Sequence, residues 1–301
     1  MGKLSKDRRD IYYRKAKELG FRARSAFKLL QIDEEFNLFR PGVRRCVDLC
    51  AAPGSWSQVV SRRLELKDGE DEVRAVAVDL QEMAPIQGIV QLQGDITSEA
   101  TANDIIGYFK GKKADLVICD GAPDVTGMHD IDEYVQSQLL LAALNITTFV
   151  LAPGGCFVAK IFRGKCAKFL YAQLGIFFDR VTCCKPKSSR NSSVEAFVVC
   201  EGFSLPDGYV PTMVSPLCDD AAMQSASAQG ERNKVAVPFL ACGDLSGFDA
   251  DKSYPLNLSA EKDEESAASS SSYKYIPPTQ APINPQYTSY LKRKKAADHS
   301  S

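Results

Sequence analysis

A chain of 301 residues, 45% hydrophobic and 25% charged, has apolar material for one large core plus additions, and a net charge of −1 leaves its partners to be read from where the charges lie. Only two histidines, His129 and His299, stand far apart, which counts against a histidine-built metal site or a Ser-His-Asp triad and leaves the chemistry to Lys, Asp and Glu. Ten cysteines scattered through apolar stretches, with no C-x-x-C spacing and no secretory leader, read as reduced thiols of a cytoplasmic protein, and no apolar run is long enough to span a bilayer.

In chain order, residues 1–28 carry ten basic side chains against three acidic ones, a segment suited to a polyanion. Periodicity predicts a basic helix over 6–18 and a second over 25–36 with Ser25 as its N-cap. Strict alternation follows, with strands at 43–49, 73–79, 89–93, 115–120 and 155–161 and helices at 56–66, 97–110 and 133–151, so a parallel sheet is expected. Pro153-Gly154-Gly155 is expected to end the long helix and turn the chain into the fifth strand. A helix at 166–175 and strands near 179–184 and 194–200 complete a seven-stranded, mostly parallel sheet with a final antiparallel strand and helices on both faces. The organisation is then a basic helical segment at 1–36, an α/β domain at 37–203 and a Pro/Ser-rich, largely irregular extension at 204–301, in which segments at 235–258 and 273–290 either dock on a partner or against the core, or belong to a solvated tail. The Lys292-Arg-Lys-Lys295 cluster reads as a nuclear-import or nucleic-acid patch, or as a solvated run.

The run Val47-Asp-Leu-Cys-Ala-Ala-Pro-Gly-Ser-Trp56 breaks an apolar strand at a Pro-Gly turn and restarts it as a helix, which points backbone N–H groups and the positive helix end at a ligand. The next strand ends on Asp79, 25 residues past Gly54, placed to take both hydroxyls of a ribose. Together the two features predict a nucleoside-like cofactor. Asp120 ends the strand beginning at Asp115, at the ligand-holding carboxyl edge of the sheet. Lys160 and Glu195 interrupt apolar strands, and a buried ammonium requires carboxylates beside it. A chemically inert salt bridge between the two is the competing explanation. The loop Lys185-Pro-Lys-Ser-Ser-Arg190 is expected to offer phosphate contacts through Lys185, Lys187 and Arg190 at the site's mouth, or to be a solvated hairpin turn.

Through residues 1–202 the sequence resembles the FtsJ-like ribose 2′-O-methyltransferases, in Ser25-Ala-Phe-Lys-Leu, Asp48-Leu-Cys-Ala-Ala-Pro-Gly-Ser-Trp56, Gly94-Asp-Ile, Cys119-Asp-Gly-Ala-Pro, Pro153-Gly-Gly and Ser189-Arg-Asn-Ser-Ser-Val-Glu195. The resemblance implies a Rossmann-like fold dependent on S-adenosyl-L-methionine and a catalytic Lys-Asp-Lys-Glu tetrad of Lys28, Asp120, Lys160 and Glu195. It also implies cofactor contacts from Gly54 and Trp56 at the methionine end, Asp79 at the ribose, Asp95 near the adenine and Asp120 near the amino group. Asp95 taken alone reads as a turn or helix cap before Thr97. The stretches Asp120–Gly127, Ile161–Gly164, Val237-Pro-Phe, Cys242-Gly-Asp-Leu and Ser253-Tyr-Pro-Leu look like the eukaryotic tRNA anticodon-loop subgroup. That subgroup methylates the first loop nucleotide and the wobble nucleotide with separate subunits, a WD-repeat protein and a large helical-repeat protein. Arg8, Arg9, Arg22, Arg24, Lys185, Lys187 and Arg190 are then the candidate RNA contacts. Rival readings are a ribosomal RNA or mRNA cap methyltransferase, a small-molecule methyltransferase, and a non-catalytic RNA-binding subunit. In this resemblance Lys160 is either a formal base or an orienting donor.

Overall fold

The computed structural model describes residues 10–123, 126–164, 167–211, 239–244, 246–253 and 279. Arg8, Arg9, the 292–295 cluster and most of the 273–290 segment lie outside the described residues. The described residues begin with α1 (Ile11–Glu18) and α2 (Ala26–Phe36), then alternate through β1 (Cys46–Leu49), α3 (Ser55–Arg63), β2 (Ala75–Asp79), β3 (Val90–Gln93), α4 (Glu99–Tyr108), β4 (Ala114–Cys119), α5 (His129–Val150) and β5 (Leu151–Phe162). It continues with α6 (Ala167–Phe177), β6 (Phe178–Pro186), β7 (Glu195–Phe203) and β8 (Phe239–Cys242).

The sheet order is β3-β2-β1-β4-β5-β7-β6-β8, with β7 antiparallel to both its neighbours and every other pairing parallel. The expected seven strands are present and an eighth, β8, extends the sheet from the 235–258 segment, which here orders against the core. Period-two alternation divides each strand between two cores. Val47, Leu49, Val117, Phe157, Ala159 and Val198 pack under α4, α5 and α6. Cys46, Ile118, Val158, Phe197 and Val199 pack under α2 and α3. Order reverses at β1 and β4, so the loops after these two strands splay apart and open a crevice at the carboxyl edge.

Three local expectations are corrected. The first described helix begins at Ile11, because Asp10 turns its carboxylate onto the N–H groups of Tyr12 (3.0 Å) and Tyr13 (3.2 Å) and so caps the helix there, while residues 6–9 of the expected helix lie outside the described residues. Ser25 precedes α2 with helical dihedrals and makes no side-chain cap; its Oγ lies 2.5 Å from Ser55 Oγ, and its carbonyl accepts from Trp56 Nε1 at 2.8 Å. The long helix ends at Val150, with Leu151 already extended two residues before Pro153, so β5 begins ahead of the Pro-Gly-Gly turn.

Candidate active site

Strand register explains how distant residues meet. Cys119 pairs with Ala159 across β4 and β5, so Asp120, the next residue, arrives beside Lys160. Lys160 pairs with Phe197 and Phe162 with Glu195, which puts Glu195 diagonally across from Lys160 on the same face of the sheet. That face is covered by α2, whose buried Leu29 and Ile32 hold the helix down while Lys28 extends over the Phe197 ring, 5.6 Å from its centroid.

Four charges gather within contact distance. Lys160 Nζ lies 2.6 Å from Asp120 Oδ1 and 3.7 Å from Glu195 Oε2; Lys28 Nζ lies 2.8 Å from Glu195 Oε2 and 4.0 Å from Asp120 Oδ1. Lys160 Nζ also donates to the Asp120 carbonyl at 2.7 Å. Ser189 Oγ donates to Glu195 Oε1 at 2.8 Å, so both carboxylate oxygens of Glu195 are held. Burial penalises the Glu195 anion, but Lys28, Lys160 and the Ser189 hydroxyl outweigh that penalty and bring its pKa down to about 2. For Lys160 burial opposes the ammonium, yet Asp120 and Glu195 prevail and raise its pKa above the ordinary lysine value. The two carboxylates therefore hold Lys160 as an ammonium.

Support comes from residues that sequence reasoning missed. Gln136, 2% exposed on α5, donates from Nε2 to the Lys160 carbonyl (3.1 Å) and the Gly121 carbonyl (3.2 Å), joining β5 to the loop after β4. Its signal in the sequence is a glutamine at helical spacing from the buried Leu140, Ala143 and Leu144 on the inward side of α5. Asp48, in the middle of β1, accepts from Ser57 Oγ at 2.5 Å through Oδ2, while its Oδ1 has no hydrogen-bond partner among the described residues. Burial, assisted by Asp120 and Asp79, raises the Asp48 pKa to about 7 despite the Ser57 bond.

A cleft of about 260 Å³ opens above Lys28 and Glu195, lined also by Arg24, Ser189, Arg190 and Ser193. Two expected phosphate contacts, Arg24 and Arg190, line this cleft. Arg24 pairs with the Asp10 carboxylate and donates to the Ser188 carbonyl, so its guanidinium is anchored at the cleft wall. Lys185 is buried and donates to the carbonyls of Ser193 (2.7 Å) and Glu195 (2.8 Å), which fixes the β6–β7 turn and removes it from the surface. Arg190 lies 3.5 Å from Asp10 with its side chain 36% exposed, at the cleft's rim. The Lys187 side chain is half-buried, and its backbone N–H donates to the Cys242 carbonyl at 2.7 Å.

The crevice between β1 and β4 forms the second compartment. Asp79 ends β2 and accepts from Ala52 N (2.9 Å) and Gln81 N (2.8 Å), so its carboxylate faces the β1–α3 turn. Gly54 precedes α3 at φ 99°, and a Cβ there would fall 2.6 Å from Arg22 Nη1 and 2.7 Å from Ile86 Cδ1. Arg22, expected to face RNA, instead clasps this turn, donating to the carbonyls of Pro53 (2.9 Å) and Pro85 (2.8 Å). Gly121 admits the same turn from the other side, since a Cβ there would meet Cys50 Cβ at 2.9 Å. The Trp56 indole is buried against Phe197, so that residue offers a ligand only its backbone N–H in the first turn of α3. Asp95 is exposed and accepts from both Thr97 N and Thr97 Oγ1 at 2.8 Å, the turn-and-cap geometry its position suggests.

The model of the FtsJ-like methyltransferase family matches residues 21–203. The human tRNA (cytidine(32)/guanosine(34)-2′-O)-methyltransferase is 58% identical over 296 residues, which is 98% of this chain and 86% of the human protein. A Saccharomyces cerevisiae 27S pre-rRNA (guanosine(2922)-2′-O)-methyltransferase is 42% identical over 71% of this chain and 25% of its own length. Among solved structures, a ribosomal RNA methyltransferase from Plasmodium falciparum superposes with a TM-score of 0.53 at 23% identity, over 61% of this chain and 98% of that one, a likeness of fold.

Proposed function

Because this chain belongs to the FtsJ-like methyltransferase family, we propose that it methylates the ribose 2′-hydroxyls of nucleotides 32 and 34 in the tRNA anticodon loop, with Lys28, Asp120, Lys160 and Glu195 as its catalytic groups. The single observation that carries this is the meeting of two ammonium and two carboxylate groups, each ammonium within 4.0 Å of both carboxylates, with Lys28 and Glu195 of the four lining a cleft of about 260 Å³, beside the strand-order reversal at β1 and β4.

The methyl donor is S-adenosyl-L-methionine, which supplies an electrophilic methyl group on a positively charged sulfur. The donor set fits it. Asp79 offers carboxylate lone pairs to ribose hydroxyls, the first-turn N–H groups of α3 and the Arg22 guanidinium suit the methionine carboxylate, and Asp120 suits the amino group. Asp95 lies beyond the end of β3 on the adenine side.

The chain's own task is to orient the acceptor hydroxyl and take charge of its proton. Lys160, held by Asp120 and raised in pKa, donates to the 2′-oxygen and stabilises negative charge as it develops there. Lys28 supplies a second ammonium from the cleft side, and Glu195 keeps the two cations at a fixed separation. The hydroxyl proton goes to Lys160 once that residue has passed its own proton to water and stands as the neutral amine, a form that a bound sulfonium beside it would favour by like-charge repulsion. Arg190 and Lys187 at the rim, together with Arg8 and Arg9 ahead of α1, meet RNA phosphates. Separate WD-repeat and helical-repeat subunits deliver the two positions.

The test is methyl incorporation into tRNA transcripts that carry 2′-deoxyribose at position 32, at 34, or at both. Each single change is expected to remove one methyl group and the double change both. Undiminished incorporation into the doubly changed transcript would refute the assignment.

A further inference from the structure

Residues 239–253 lie beyond the catalytic frame in sequence, yet they touch both walls of the acceptor cleft. β8 adds in parallel to β6, and the fully buried Cys242 packs with Cys184 in the core beneath α2. Beyond this anchor the Cys242 carbonyl accepts from Lys187 N at 2.7 Å, and Asp251 Oδ2 accepts from Asn191 N at 2.7 Å. Those two bonds bracket the loop that carries Ser189 and Arg190. Gln31 of α2 receives Ser188 N at 2.8 Å and packs so closely on Gly243 that a Cβ there would lie 2.9 Å from its Cδ.

The same stretch grips the other wall. Tyr12 donates its hydroxyl to the Phe248 carbonyl at 2.9 Å, Lys15 Nζ stands 4.2 Å above the Phe248 ring, and Ala250 is buried with Ile11 and Tyr12. These contacts fix α1, whose N-cap Asp10 holds Arg24 and Arg190 at the cleft. From this we infer that residues 239–253 form a strap that sets the spacing between the 187–191 loop and α1, and thereby positions tRNA in the acceptor cleft. The strap supplies no reacting group.

The inference rests on the acceptor site proposed above, and its test separates the two.

The full-length protein carrying Tyr12→Phe with Asp251→Ala loses one hydrogen bond to each wall while the core anchor stays intact. It is assayed on tRNA in extract from cells lacking the endogenous gene, alongside Lys160→Ala and the conservative Asp251→Asn, with cofactor affinity measured by calorimetry. Loss of the two bonds is expected to raise KM for tRNA roughly tenfold, leaving kcat and cofactor affinity within about twofold, and Asp251→Asn, which keeps an acceptor oxygen, is expected to retain near-native KM. An unchanged tRNA KM, or a parallel fall in kcat and cofactor affinity, would overturn the strap. Persistent turnover by Lys160→Ala would instead refute the catalytic assignment, with the tRNA KM still deciding the strap.

Discussion

Lys160 is pulled in two directions by its surroundings, and the stronger pull defines its role. Burial favours the neutral amine, whereas Asp120 at 2.6 Å and Glu195 at 3.7 Å favour the ammonium and win. In the same cluster Glu195 is stabilised as an anion down to about pH 2. Its folded pKa is depressed, so the stability it contributes is present above the ordinary glutamate value and is lost as pH falls from there toward 2. Glu195→Gln should therefore cost about 3 kcal/mol near neutrality and much less near pH 3, as urea unfolding at the two pH values would measure. Asp48 is the opposite case. Its folded pKa, raised to about 7, lies above the unfolded one, so wild-type stability declines as pH rises from about 4 to 7. Asp48→Asn should be stabilising by on the order of 2 kcal/mol at pH 8 and nearly neutral at pH 4. Arg22 makes a sharper functional prediction. If it serves the cofactor turn, Arg22→Ala should weaken cofactor binding by calorimetry roughly tenfold and leave tRNA affinity unchanged, because the loss of a charge-assisted contact is felt where the contact is made.

At the level of elements, what could be read in advance depended on whether the partner of each residue was local. Lys160 and Glu195 stood out because charge in an apolar strand needs a partner, and register then brought them together. Asp79 and Gly54 were legible because strand end and helix start are written in neighbouring residues. Lys185 and Arg24 were not. Their acceptors are backbone carbonyls in the β6–β7 turn and a carboxylate at the start of α1, and nothing in a basic residue's immediate sequence separates such inward positions from solvent-facing ones. The 239–242 segment stood out as one that could order against the core, but its pairing as a strand was not legible, since four residues pair with a strand more than fifty positions earlier. Asp10 gives this scale its own test. It caps α1 and holds Arg24 and Arg190, so Asp10→Ala should lower unfolding free energy by roughly 1–3 kcal/mol, a cap plus a buried ion pair, and should weaken tRNA binding while sparing the cofactor.

For the whole molecule, two compartments meet at one row of charges. In the proposed reading the β1–β4 crevice receives a donor, the cleft beside α2 receives an acceptor, and Asp120 and Lys160 stand between them. The N-terminal helices and the strap build the acceptor side, while the loops after β1, β2 and β4, with Arg22 clasping the first of them, build the donor side, so changes in the two should separate in binding experiments. The most direct measurement is single-turnover methyl transfer to tRNA by Lys160→Ala, with cofactor affinity measured on the same preparation. Transfer should vanish while cofactor affinity stays within about twofold of wild type, as expected for a group that acts on the acceptor oxygen. A Lys160→Ala enzyme that still methylates tRNA at a comparable rate would contradict the account.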